Sequence, residues 1–161
     1  MKRIISMLLA VMSVAALTAC GQQKDTAVDA QGLAKALVEK VSFESELTAI
    51  SDEELGYYFQ LPEGCTAAAY MSSGSTAEEV FVIQCKSGDD AAALRASMQE
   101  FLDSQKTEME RYLPAEVDRI NSAIFETYGT CVVLCVSSDT DTARSAVSYT
   151  HLRAHETKAN L

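Results

Sequence analysis

The chain has 161 residues and sets 23 Asp and Glu against 13 Lys and Arg, a formal charge of −10. An acidic body of this kind repels nucleic acid, anionic lipid headgroups and other polyanions unless a cation bridges them, which argues against those partners. Only two histidines and seven glycines are present, and none of the glycines is spaced like a phosphate-binding loop.

Met1-Lys2-Arg3 is a short basic start, and Ile4 to Leu17 follows without a charge. That apolar stretch of 14 residues is shorter than the roughly 20 that span a bilayer, and small residues follow it. The pattern is that of a secretory signal peptide over residues 1–19. Leu17-Thr18-Ala19-Cys20-Gly21 resembles the lipobox of bacterial lipoprotein signals, in which the cysteine thiol receives a diacylglyceryl group and becomes the new N-terminus. The expectation is a lipidated, palmitate-bearing Cys20 that holds the protein to the outer face of the cell membrane, because two acyl chains anchor stably where one does not. Residues 20–29 are polar and read as a tether.

From Ala30 the spacing of Leu33, Leu37 and Val41 predicts an amphipathic helix. Ser51-Asp52-Glu53-Glu54 is a capping-box start for a short second helix, ahead of Leu55-Gly56 and Tyr57-Tyr58-Phe59. Cys65 to Met71 and Val80 to Ile83, separated by Ser72-Ser73-Gly74-Ser75-Thr76, predict an antiparallel hairpin. Asp89-Asp90 suits a helix start, and Leu94, Met98, Phe101, Leu102, Met109 and Tyr112 form one apolar stripe up to the break at Pro114. Val117, Ile120 and Ile124 support a further helix, whereas Ala123 to Thr127 also reads as a strand that turns at Tyr128-Gly129 and pairs with Cys131 to Val136. Asp139 or Asp141 then caps a last helix.

Residues 147–161, Val147-Ser148-Tyr149-Thr150-His151-Leu152-Arg153-Ala154-His155-Glu156-Thr157 and four more, resemble one reading frame of a translated sequencing adapter. They are set aside as a non-native tail. Residues 20–146 then hold nine basic and 22 acidic side chains, a formal charge of −13, and no histidine. The expected architecture is a single α+β domain over residues 30–146, an antiparallel sheet of three to four strands covered on one face by helices.

Leu55-Gly56-Tyr57-Tyr58, Glu79-Val80-Phe81-Val82-Ile83, Tyr112-Leu113-Pro114-Ala115-Glu116-Val117 and Gly129-Thr130-Cys131-Val132-Val133-Leu134 together resemble a family of bacterial lipoproteins, the domain of unknown function 4358. The similarity covers roughly residues 30–146. It implies an exported, membrane-anchored domain and carries no catalytic residue with it.

The cysteines after Cys20 are Cys65, Cys85, Cys131 and Cys135. A hairpin register that pairs position 71 with 79 also pairs 65 with 85, so a cross-strand Cys65–Cys85 disulfide is geometrically allowed in an oxidising compartment; the alternative is two small buried thiols. Cys131 and Cys135 share one strand face about 13 Å apart and cannot bond to each other. Without histidine the span lacks the usual base for a cysteine or serine nucleophile, and Cys131-x₃-Cys135 on a strand is poorly placed for zinc, so neither metal nor cofactor is expected. The carboxylate pairs Glu53-Glu54, Glu78-Glu79 and Asp89-Asp90 read as caps or solvated faces. In Tyr57-Tyr58-Phe59 alternation buries one or two of the rings, so core packing is the first reading, and Tyr57 and Tyr58 as an exposed binding patch for a peptide or sugar is the second. The expected function is non-enzymatic: a surface-tethered module that binds a protein or ligand at the cell envelope. The competing classes are an enzyme using carboxylates or a cysteine, and a purely structural component.

Overall fold

A computed structural model describes residues 28–148 of the chain. Cys20 and the signal peptide, and the histidines of the tail, lie outside them. The elements run α1 (Ala30–Lys40), β1 (Thr48–Ile50), α2 (Asp52–Leu55), β2 (Thr66–Met71), β3 (Glu79–Gln84), α3 (Gly88–Tyr112), α4 (Pro114–Asn121), β4 (Ile124–Tyr128) and β5 (Cys131–Val136). A last helix, α5, covers residues 140–148. The five strands form one sheet in the order β1-β2-β3-β5-β4, with every pairing antiparallel. The α+β class and the antiparallel sheet agree with the sequence reading.

Local chemistry sets most of the boundaries. Asp29 caps α1 by accepting from the Gly32 N–H at 3.0 Å, and Ser51 with Glu54 forms the capping box of α2. Ser87 accepts from the Asp90 N–H to open α3, and Pro114 at the first turn starts α4, where its missing N–H costs no helical hydrogen bond. Of the two candidate caps for the last helix, Asp139 takes the role: its Oδ1 accepts from the Thr142 N–H at 3.3 Å. Gly129 joins β4 to β5 at φ 58°, a left-handed conformation that glycine adopts without penalty. Of the two readings of the 117–127 region the strand holds: α4 carries Val117 and Ile120 but ends at Asn121, and Ile124 begins β4 instead of continuing the helix.

Two expectations about the sheet are corrected. It has five strands rather than three to four, the extra one being β1, a three-residue edge strand paired with β2 as Thr48↔Met71 and Ile50↔Ala69. Helices cover both faces rather than one. On one face α1 and α5 place Leu33, Leu37 and Ala143 against Val80, Val82, Cys131, Val133 and Cys135. On the other, α2, α3 and α4 place Leu55, Leu94, Met98, Leu102 and Ile120 against Phe81, Ile83, Val132, Leu134 and Val136. Alternate residues of β5 thus enter opposite cores, as the two-residue period of a strand requires. All six β5 residues are buried, which is why Cys131 to Val136 is apolar throughout rather than alternating.

Three smaller differences concern the ends of elements. The apolar stripe of α3 is buried at Leu94, Met98 and Leu102, but Tyr112 is 75 % exposed because the 25-residue helix outruns the sheet. The proposed tether docks at its last residues: the Val28 N–H donates to Gln84 Oε1 at 2.9 Å, just before the Asp29 cap. Val147, assigned to the tail, extends α5 and is buried with α1.

Candidate functional site

The segment after α2 builds one wall of a cleft. The capping box fixes α2, Leu55 is fully buried, and the N–H groups of Tyr57, Tyr58 and Phe59 donate to the carbonyls of Glu54 and Leu55. This tight turn divides the three aromatic residues. Phe59 enters the core at 5 % exposure, while Tyr57 and Tyr58 remain 78 % and 45 % exposed. Tyr58 meets Phe101 of α3 edge-on, with ring centroids 5.7 Å apart, and Phe101 in turn packs against Phe59 and Phe81. The Gln60 N–H donates to Ser97 Oγ at 3.1 Å, tying the same segment to α3.

Between this wall, the middle of α3 and the β2–β3 turn lies an open cleft of about 820 Å³. Tyr57, Tyr58, Phe101, Met71 and Met109 give it apolar surface, and Ser72, Ser73, Ser97 and Ser104 give it hydroxyls. Its charged lining residues are Glu100 and Glu108, with no Lys or Arg among them. Both carboxylates stand on one face of one helix, so they do not oppose each other as the paired carboxyls of a glycosidase must.

Gln105 also lines the cleft and leads to an unusual carboxyl beneath it. Its Nε2 donates to Glu79 Oε2 at 3.5 Å, while Glu79 Oε1 and Gln105 Oε1 are buried without a hydrogen-bond partner. Glu79 is fully buried, and burial pushes its carboxyl up to about 8 despite the bond from Gln105. The acid is therefore protonated at neutral pH, and its proton is a donor that an acid–amide pair with two orphaned acceptors lacks in the ionised form.

Neighbouring carboxylates are buried in a different way. Glu78, 1 % exposed, accepts from the Glu44 and Ser45 N–H groups at 2.8 to 3.0 Å and from the Thr76 hydroxyl. Glu116 accepts from the Ala77 N–H at 2.8 Å and from Arg119 at 2.5 Å. Arg119 also reaches Glu44 and Ser138. Burial works against the guanidinium charge, but the bond to Glu44 and the charge of Glu116 outweigh it and raise the pKa of Arg119. This network locks the loop between α1 and β1 onto the end of the sheet. The reading of Glu78-Glu79 as a cap or solvated face is thus corrected: both are buried, Glu79 because it begins the central strand β3 under α3, and Glu78, just before it, because the 44–45 loop closes over it. Glu54 and Asp90 do serve at helix starts.

Cys65 and Cys85 stand one residue beyond the Thr66↔Gln84 pair, with sulfurs 3.1 Å apart and both thiols free. Cys131 and Cys135 are free and buried in the α1 face of the core. Burial pushes the thiols of Cys131 and Cys135 up to about 12, the reverse of what a nucleophile needs, whereas Cys85 is raised by burial together with the Cys65 sulfur beside it. Among the described residues no group of three or more His, Cys, Asp or Glu could hold a metal ion, and no helix is long and apolar enough to cross a membrane.

The sequence reading named Tyr57 and Tyr58 as a candidate patch and did not name Glu100, Gln105 or Glu108, of which only Gln105 and Glu108 stand at neighbouring helical spacing. Comparison with curated proteins and with solved structures gives no match. A family model described as Domain of unknown function (DUF4358) matches residues 39–137, from the end of α1 to just past β5, and the chain belongs to that family.

Proposed function

We propose that this protein is a lipid-anchored domain of the cell envelope that binds a ligand or protein segment in the cleft beside Tyr57 and Tyr58. The lipobox-like Leu17-Thr18-Ala19-Cys20 supports export and acylation at Cys20, with residues 21–27 as the connection to the folded domain. The observation that carries the binding role is Tyr57. A large aromatic side chain 78 % exposed beside a cleft with further aromatic and thioether surface is a standing cost in water that a bound partner removes. The carboxylates of Glu100 and Glu108 select against anions, so the occupant is neutral or cationic and amphipathic. A segment of an envelope protein or a peptide has that chemistry.

Two experiments test the two halves. Cys20→Ser is expected to leave an unlipidated protein that no longer partitions with membranes; retained membrane association would exclude the anchor. A photo-crosslinking amino acid at position 57 of the lipoprotein in intact cells is expected to give a reproducible adduct that is absent when the probe sits at position 35 on α1. No adduct, or the same adducts from both positions, would exclude the cleft.

A further inference from the structure

We infer that Cys65 and Cys85 are a redox pair that closes into a disulfide joining the start of β2 to the end of β3. Three observations place the reaction here. The antiparallel register brings the two residues opposite each other at the end of the hairpin away from its turn. Their sulfurs are already in contact at 3.1 Å. Their accessibilities differ: Cys65 is half-buried and Cys85 is buried, so one thiol meets an external oxidant and the other waits behind it.

The approach to Cys65 is preformed. The Cys65 N–H donates to the Pro62 carbonyl, and Gly64 before it takes φ 75°. The Lys86 side chain lies where a Cβ at position 64 would stand, so only a glycine fits beside it in this turn. Cys131 and Cys135 share one face of a single strand, about four residues of rise apart, and cannot bond to each other.

The oxidant is a disulfide, either a small one or that of a thiol–disulfide oxidoreductase. The Cys65 thiolate attacks one of its sulfurs, forms a mixed disulfide and releases the other sulfur as a thiolate. That thiolate takes up the proton of Cys85. The Cys85 sulfur then attacks Cys65, and the second oxidant sulfur leaves. The proton that Cys65 gave up in forming its thiolate goes to the second leaving sulfur, so the protein loses two electrons and two protons, and the oxidant becomes two thiols. The bridge restrains β2 against β3 and, through them, Met71 and the β2–β3 turn that line the cleft.

The test uses the full chain, reduced and then exposed to glutathione disulfide, with free thiols alkylated before proteolysis and mass measurement. The expected product is a Cys65–Cys85 linked peptide lighter by two hydrogens, with Cys131 and Cys135 alkylated after denaturation. Closure of this hairpin loop should favour the folded state by about two orders of magnitude in its equilibrium constant over the reduced protein. Cys65→Ser and Cys85→Ser should each abolish that difference. All four thiols alkylated after oxidation, or a dominant link between other cysteines, would overturn the inference. So would an oxidised protein whose denaturation midpoint equals that of the reduced one.

Discussion

Replacing Glu79 by Gln keeps the volume of the side chain and its amide-compatible shape but removes the titrating proton. In the folded protein the Glu79 carboxyl sits at about 8, against 4.5 for the ordinary group. The folded-state value is raised, so the contribution to stability is complete below about pH 4.5 and is lost as pH rises through 8. Between those limits the folded protein holds a proton that the unfolded chain has released, and wild-type stability falls by about 1.4 kcal/mol per pH unit from this group alone. Over the whole window the loss approaches about 5 kcal/mol, a large share of the roughly 5–15 kcal/mol typical of a domain. Glu79→Gln should lack that dependence. Urea unfolding of both proteins from about pH 5 to about pH 8.5 measures it, and the difference between them cancels the tail histidines, which titrate in both. The wild type should lose stability relative to the variant across the series, and near pH 8 the variant should be the more stable relative to its own value at pH 5. Parallel curves would refute the assignment of a protonated, buried Glu79.

Arg119→Ala should cost about 3–5 kcal/mol, because it strips the cation from the buried Glu116 and frees the Glu44 loop; a loss below about 1 kcal/mol in denaturant unfolding would contradict that network. Ser51→Ala should cost about 1 kcal/mol and loosen the turn that presents Tyr57 and Tyr58, read as faster amide exchange at residues 54–59. Tyr57→Ala should leave stability within about 0.5 kcal/mol while removing the photo-crosslinked or bound species, whereas Tyr58→Ala should cost about 0.5–1.5 kcal/mol more through its lost contact with Phe101. Equal effects of the two tyrosines on stability would mean that they do not differ in packing.

The pieces that the sequence determined by itself are those whose partners lie within a few residues. The Ser51–Glu54 capping box and the Pro114 break are set by hydrogen bonds and backbone preferences that reach only three or four positions, and the β2–β3 hairpin by strand pattern on either side of a polar turn, whereas the choice of Asp139 over Asp141 and of strand over helix at Ile124 stays open in the sequence. The hairpin turn also fixed the register, and with it the opposition of Cys65 and Cys85. Tertiary structure decided everything that depends on a distant surface. Thr48–Ile50 has no strand pattern of its own and becomes β1 only because β2 offers an unpaired edge. The second helical layer follows from α1 returning over the sheet to meet α5, although the unbroken apolar run of β5 is its sequence trace. Glu78 and Glu79 look alike as neighbours in the chain, yet one is satisfied by the 44–45 backbone and the other by a proton. Glu79 opens β3 and meets Gln105 of α3, Glu78 precedes the strand and meets the loop after α1, and only the fold supplies those partners.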